Sequence, residues 1–480
     1  MIKECLGGGD NLQIHVVQKG ESLSEIAKQY NTTIKQITLA NELTEPDVLV
    51  VGEALIIPIP NQQYVVEPGD YLVGIAEKLG ISLQALTDAN NIMNPSLIYV
   101  GKVLELPYFH YVVKPGDTIY TISSRYGITV RQIIEANNLQ QNNVIYPNQV
   151  LSIPAPSRPQ VEVNAYTTTM NEAGREEILM LGNYFTYVTP FSYGIKEDGS
   201  LAALNDQLVL DAVFLTGTTP LLVLTNFKNG KFSSDLVATI LRDPDLQMVL
   251  INNLLSVMNE KGYKGLNIDF EYVYPEDREN YNMFLRRVTE ELHANGYLVS
   301  TAVAPKESRE QSGLLYEAHD YRAHGEIVDF VVLMTYEWGW AGGEPLAIAP
   351  INKVKQVLDY AVTEIAPDKI MMGTPLYGRD WRIPWVQGTI ARTVSPQEAV
   401  QLAKTYQVEI QYNELYQSPF FTYTDQTGQA HEVWFEDARS MQAKYDVVKE
   451  YSLRGVSYWV LGSPFPQNWG VLGENFQIEK

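Results

Sequence analysis

The chain holds a single cysteine, Cys5, in 480 residues, so no internal disulfide is possible and the redox compartment is left undecided. Positive charge is scarce: 35 Lys and Arg stand against 57 Asp and Glu, a formal net charge of −22. A field of that sign disfavours nucleic acid and anionic membrane as partners. No apolar run reaches the roughly 18 residues that a spanning helix needs. The opening stretch MIKECLGGGDNLQ has no hydrophobic signal core, so classical secretion is not expected. No His/Cys cluster suggests a metal and no Gly-rich phosphate loop is evident, so neither metal nor cofactor is expected.

What is present fits a globular enzyme or binding protein. Hydrophobic residues make up 45% and charged residues 19%, which argues against disorder. The length calls for two or more domains. Thirty tyrosines supply amphipathic rings suited to neutral ligands such as sugars or peptides.

The first 155 residues repeat three times. VVQKGESLSEIAKQY from Val16, VVEPGDYLVGIAEKL from Val65 and VVKPGDTIYTISSRY from Val112 align without gaps. Ala-Asn pairs recur downstream, ending at Asn41, Asn90 and Asn137, and the closing prolines, Pro58, Pro107 and Pro154, fall 49 and 47 residues apart. Each unit reads as strand, turn, helix, helix, strand, with Ser22, Tyr71 or Thr118 opening the first helix. The second helix ends at the Asn, a residue that tolerates left-handed geometry. The units span 13–59, 63–108 and 110–155, after a leader at 1–12. This pattern resembles the LysM module, a βααβ unit that binds N-acetylglucosamine-containing glycans. The resemblance implies a sugar groove in each unit, between the turn at Gly20, Gly69 or Gly116 and the loop after Asn41, Asn90 or Asn137. Three weak sites on one chain would give avidity on a polymer.

PAPSRPQ, from Pro154 to Gln160, is a proline-rich stretch without apolar periodicity, so residues 156–160 form a linker. Beyond it, over 161–480, eight apolar strand candidates alternate with helical patterns: 161–168, 184–191, 220–226, 265–271, 297–304, 328–336, 369–377 and 455–462. Parallel strands with helical crossovers predict a (β/α)8 barrel. The gap between strands seven and eight is too long for one helix, so about 382–436 reads as an inserted α+β subdomain walling the cleft.

The fourth candidate strand, GLNIDFE, carries the chemistry. Asn267, Asp269 and Glu271 are two apart and share one face, while Leu266, Ile268 and Phe270 share the other. Acids along one face of a buried strand are costly unless they act. Glu271, at the strand's end, reads as a general acid with Asp269 behind it. The run KGLNIDFE resembles the DxxDxDxE signature of glycoside hydrolase family 18. MTYE (334–337), GTPLYGRDW (373–381) and Trp459 resemble three further family elements in the expected order. The family's mechanism is retaining and substrate-assisted: the sugar's own 2-acetamido oxygen attacks the anomeric carbon. The resemblance implies that Glu271 protonates the leaving oxygen, Asp269 orients the acetamido N–H, and Tyr336 holds the acetamido oxygen. Asn267 lies beneath them and Trp459 floors the sugar subsite. Tyr377 and Arg379 are cleft candidates that could equally brace the insertion. Trp338, Trp340 and Trp381 lie just past strand ends, where stacking on sugar and packing within loops are both open.

Three positions depart from the family pattern: Lys264 and Asn267 replace aspartates of the signature, and Glu337 replaces the aspartate after the tyrosine. Asn267 is expected to hydrogen-bond Asp269 without sharing charge, giving a pH profile unlike that of typical chitinases. LysM modules ahead of such a barrel resemble the spore cortex-lytic N-acetylglucosaminidases of endospore-forming bacteria. That resemblance implies peptidoglycan cortex fragments as substrate, a role in germination, and a place in the spore envelope at the coat/cortex boundary. The alternatives are a LysM-targeted chitinase or a non-catalytic glycan-binding envelope protein. Endo or exo action and oligomeric state are not legible in the sequence.

Overall fold

The structure is a computed structural model describing residues 13–59, 62–126, 128–139, 144–155 and 158–480. The leader at 1–12, with Cys5, and part of the 156–160 linker lie outside the described residues. Two compact units are present, one comprising residues up to 160 with 466–477, the other residues 161–465 with 478–480.

In the first unit, each repeat is a two-stranded antiparallel sheet with two short helices between its strands. The strand pairs are Gln13–Val16 with Ala54–Ile57, Gln63–Val65 with Val103–Glu105, and Tyr108–Val112 with Val150–Pro154. Ser22 and Thr118 cap the first helix of their repeats through capping boxes; Tyr71 occupies the same position without a side-chain bond. The helices present Ile26, Ile75 and Ile122, each fully buried in its own small core.

The repeated asparagine is a staple inside each module. Asn41 donates to the carbonyls of Ile37 (2.9 Å) and Ile56 (2.8 Å) and accepts from the Ile56 N–H (2.9 Å). Asn90 does the same with Leu86 and Glu105, and Asn137 with Ile133 and Ser152. It ties the end of the second helix to the closing strand, two elements too short to be stable alone. The side-chain amides make these bonds within their own module. One expectation is corrected here. The left-handed residue is the next one, Glu42, Asn91 or Asn138, at φ 49–52°.

A second departure from the expected boundaries is the helix Pro466–Asn475, which packs with the first unit. Its Gly470 lies so close to Ile56 that a Cβ would come within 2.7 Å of Ile56 Cδ1. The Glu474 carboxylate accepts from Gln63 Nε2 at 2.9 Å.

The second unit is a closed parallel barrel. Its strands are β1 Gln160–Thr167, β2 Tyr187–Pro190, β3 Thr219–Thr225, β4 Gly265–Asp269, β5 Leu298–Val303, β6 Phe330–Leu333, β7 Ile370–Pro375 and β8 Gly455–Trp459. Each pairs in parallel with the next, and β8 pairs with β1, which closes the ring. The strands read as nearly unbroken apolar runs because both faces are covered. The inward face of β4 runs Gly265, Asn267, Asp269 towards the C-terminal mouth. Gly265 at the bottom is required by space: a Cβ would sit 2.7 Å from Leu221 Cδ2. Outward, Phe270 stacks on Phe284 (5.9 Å) and lies beside Tyr281 (5.7 Å) of the covering helix Arg278–Ala294.

Between β7 and β8 lies a five-stranded antiparallel sheet, built from Gly378–Ile383, Arg392–Val394, Gln411–Asn413, Ser418–Thr424 and Ala430–Trp434, with the helix Pro396–Thr405. It begins at Gly378, a few residues before the expected 382. Among the described residues, no helix is long and apolar enough to cross a membrane.

Candidate active site

The regular ladder of β4 ends at Asp269, paired with Thr225 of β3. Phe270 turns out into the helical layer and Glu271 turns back over the barrel mouth. Tyr272, at φ 55°, then swings the chain away, leaving Glu271 as the last residue on the inner face.

Burial is the main electrostatic fact. Asp269 is 5% exposed, and its Oδ1 has no hydrogen-bond partner within the protein. Burial pushes its carboxyl far above the usual carboxylate range. Glu271 is pushed up too, first by burial and then by the negative charges of Asp269 and Glu337 facing it. Two acids in such a place do not both ionise readily near neutral pH, so a proton is retained for transfer.

Beneath them, Asn267 is satisfied by the barrel interior. Its Oδ1 accepts from the Tyr166 hydroxyl (2.7 Å) and its Nδ2 donates to Ser300 Oγ (2.9 Å). The expected bond to Asp269 is replaced by these two, because β1 and β5 present a hydroxyl on each side of the asparagine. Tyr336 follows β6 by three residues. Burial first, then the neighbouring Tyr166, Tyr377, Asp269 and Glu271, holds its hydroxyl in the neutral form. Its ring depends on Gly373 of β7, where a Cβ would lie 2.8 Å from Tyr336 Cε1.

Glu337 sits at φ 67° and its carboxylate is gripped by two residues from the start of the insertion: the Tyr377 hydroxyl and Arg379 Nη2, at 2.8 Å for the arginine. The Arg379 guanidinium also lies over the Tyr377 ring, 4.8 Å from its centroid. Trp459, at the end of β8, is partly exposed and meets Tyr166 (5.5 Å) and Phe191 (4.9 Å) edge-on.

The same modular arrangement appears in known proteins. The family model for glycosyl hydrolases family 18 matches residues 228–463, and the LysM domain model matches 15–58, 64–107 and 111–154. A cortical fragment-lytic enzyme of Bacillus subtilis (strain 168) is 47% identical over 478 residues, covering 98% of this chain and 99% of that protein. The chain belongs to glycosyl hydrolase family 18. The crystal structure of the Bacillus megaterium QM B1551 spore cortex-lytic enzyme SleL is similar with a TM-score of 0.79 and 37% identity, covering 98% of this chain and all of that one. That of the Bacillus cereus spore cortex-lytic enzyme SleL gives a TM-score of 0.77 and 39% identity, over 98% and 99%. The chain is thus a family 18 glycoside hydrolase preceded by three LysM modules.

In this family 18 barrel, the structure gathers Glu271, Asp269, Tyr336, Asn267, Glu337, Tyr377, Arg379 and Trp459 around one mouth. The three other tryptophans separate. Trp340 is 55% exposed, its ring lying over Gly342 and Gly343, where a Cβ would come within 2.4 to 2.5 Å of the indole. Trp338 is partly buried. Trp381 is 1% exposed and donates from Nε1 to the Gly343 carbonyl (2.9 Å). It presents no face to a sugar and instead ties the insertion to the loop after β6. The LysM glycines keep their place in the turns, at φ 87–88° with open space around them.

Three residues of the site escaped sequence reasoning. Tyr166 was within reach, since it alternates inward along the first strand candidate with Asn164. Asn226 is the polar end of PLLVLTN, at the same height as the acid on the neighbouring strand. His319 lies in a loop with no periodic signal.

Proposed function

We propose that this glycoside hydrolase cleaves peptidoglycan fragments of the spore cortex after N-acetylglucosamine, with retention of anomeric configuration, during germination. The observation that carries the reading is the site itself: an acid kept protonated by burial and by two facing carboxylates, above a second buried acid with an unpartnered oxygen. Similarity along almost the whole chain to proteins named cortical fragment-lytic enzyme and spore cortex-lytic enzyme supports the substrate.

Each group has one task. Glu271 gives its proton to the glycosidic oxygen as the bond breaks. Asp269, with a buried acceptor oxygen unspent, takes the acetamido N–H and stabilises the positive charge that develops on the cyclised acetamido group. The neutral Tyr336 hydroxyl donates to the acetamido oxygen and aims it at the anomeric carbon. Glu271, now a carboxylate, draws a proton from the water that opens the oxazolinium ion. Glu337, Tyr377, Arg379 and Trp459 line the sugar subsite, and Trp338 and Trp340 extend it. The LysM modules bind the glycan polymer through their turns at Gly20, Gly69 and Gly116 and hold the enzyme in the spore envelope.

Digestion of purified cortex fragments, with mass spectrometry of borohydride-reduced products, tests the reading. Reduced N-acetylglucosamine at the new ends is expected. New ends carrying reduced muramic acid, or turnover of chitin oligomers far above that of cortex fragments, would overturn it.

A further inference from the structure

The acid stands beyond the last ladder bond of its strand, where backbone pairing no longer holds it. β3 pairs with β4 as far as Asp269, and β5 only as far as Ile268. Past that point, two side chains supply the missing bonds. On the β3 side, Asn226 Oδ1 accepts from the Glu271 N–H at 3.0 Å, and Asn226 Nδ2 donates to the Glu271 carbonyl at 2.8 Å. On the β5 side, His319 Nε2 donates to the Phe270 carbonyl at 2.9 Å.

The two groups of the Phe270–Glu271 peptide point in opposite directions, as in any trans peptide, so one bond comes from each side: from Asn226, just past the end of β3, and from His319, in the loop that follows β5. Neither clamp has freedom to swing. Asn226 is fully buried, and its Nδ2 also donates to the Ser233 carbonyl (3.1 Å) while its own carbonyl accepts from the Ser233 N–H (3.0 Å). His319 is 1% exposed, and its Nδ1 accepts from the Ala304 N–H at 2.9 Å, which places the ring proton on Nε2. Every partner is a backbone group of fixed polarity, so the amide and imidazole orientations follow from the bonds themselves.

We propose that Asn226 and His319 are positioning residues that extend the sheet by side chains to Glu271 and set the distance from its carboxyl to the glycosidic oxygen. The proposal rests on Glu271 being the acid. Neither residue touches substrate. Their removal lets the strand end fray and moves the carboxyl by a fraction of an ångström, which penalises the chemical step and leaves glycan binding intact.

The experiment compares Asn226→Ala, His319→Phe and His319→Gln with wild type and Glu271→Gln on cortex fragments, with melting curves establishing that each variant is folded at the assay temperature. Asn226→Ala and His319→Phe should each lower kcat about 10- to 100-fold with KM within about twofold. His319→Gln, which can offer an Nε2 donor to the same carbonyl, should recover most of the loss. Asn226→Ala carries the test alone if His319→Phe does not fold. Unchanged kcat, a loss confined to KM, or equal impairment of the His319 pair overturns the positioning role. Full activity in Glu271→Gln would instead remove the acid itself.

Discussion

The Tyr166 hydroxyl donates a 2.7 Å hydrogen bond to Oδ1 of Asn267, deep in the barrel where the family pattern carries a third acid. The bond fixes the amide's orientation and turns its Nδ2 to Ser300. Asn267 therefore fills the space below Asp269 without adding charge. Burial raises both remaining carboxyls, and the charges of Asp269 and Glu337 raise Glu271 further. Asn267→Asp should add one. An extra negative charge beside Asp269 and Glu271 opposes their ionisation, so Glu271 stays protonated to higher pH. The alkaline limb of the kcat/KM profile should move up by about one unit. A limb that stays in place or moves down would contradict the charge argument.

Glu337 offers the opposite sign. Its charge is one of the causes that raise Glu271. Glu337→Gln removes that charge while retaining an oxygen that can accept from Tyr377 and Arg379. The acid then ionises more easily, and the alkaline limb should shift to lower pH. Rates across a pH series, read beside those of Asn267→Asp, check the pair: the two shifts must oppose each other.

Glu271→Gln should lower hydrolysis of cortex fragments about 10³-fold or more, since protonation of the leaving oxygen is lost. Retention of insoluble peptidoglycan by the variant, measured by co-sedimentation, should equal that of wild type. Loss of both would place Glu271 in binding rather than in catalysis.

Trp340 follows β6 and Trp381 follows β7, yet they face different environments: one ring is exposed and the other buried. Trp381→Ala empties a buried site and breaks the bond to Gly343, so it should cost about 3–5 kcal/mol, visible as a lower Tm. Trp340→Ala removes an exposed ring. Its stability should change by less than about 0.5 kcal/mol, while KM for cortex fragments rises several-fold.

Asn90→Ala should destabilise its module by about 2–3 kcal/mol, because the Glu105 N–H and carbonyl lose their side-chain partner. Hydrogen exchange in residues 63–108 should accelerate. Turnover of soluble fragments should remain that of wild type, since the barrel carries the chemistry.

Much of this was legible before any coordinates. Strand periodicity located all eight barrel strands, and the alternation in GLNIDFE put Asn267, Asp269 and Glu271 on one face, because side-chain direction along a strand is a local property. The repeats fixed three βααβ modules for the same reason. Which hydroxyl would meet Asn267 depended on Tyr166, 101 residues away, and the burial of Trp381 on the loop at Gly343, 38 residues away. The helix Pro466–Asn475 belongs with the first unit through packing that no local pattern encodes.

The amino-acid order thus determined which acids and amphipathic rings are available to a site, since charge, ring chemistry and two-residue spacing are written directly into it. Only the closed barrel decided how those groups behave. Burial lifts the carboxyls, and the neighbours on either side of β4 hold the acid's backbone with Asn226 and His319. Both effects arise from distant segments brought within hydrogen-bond reach, where water is excluded and an unscreened charge or an unpaired amide is costly.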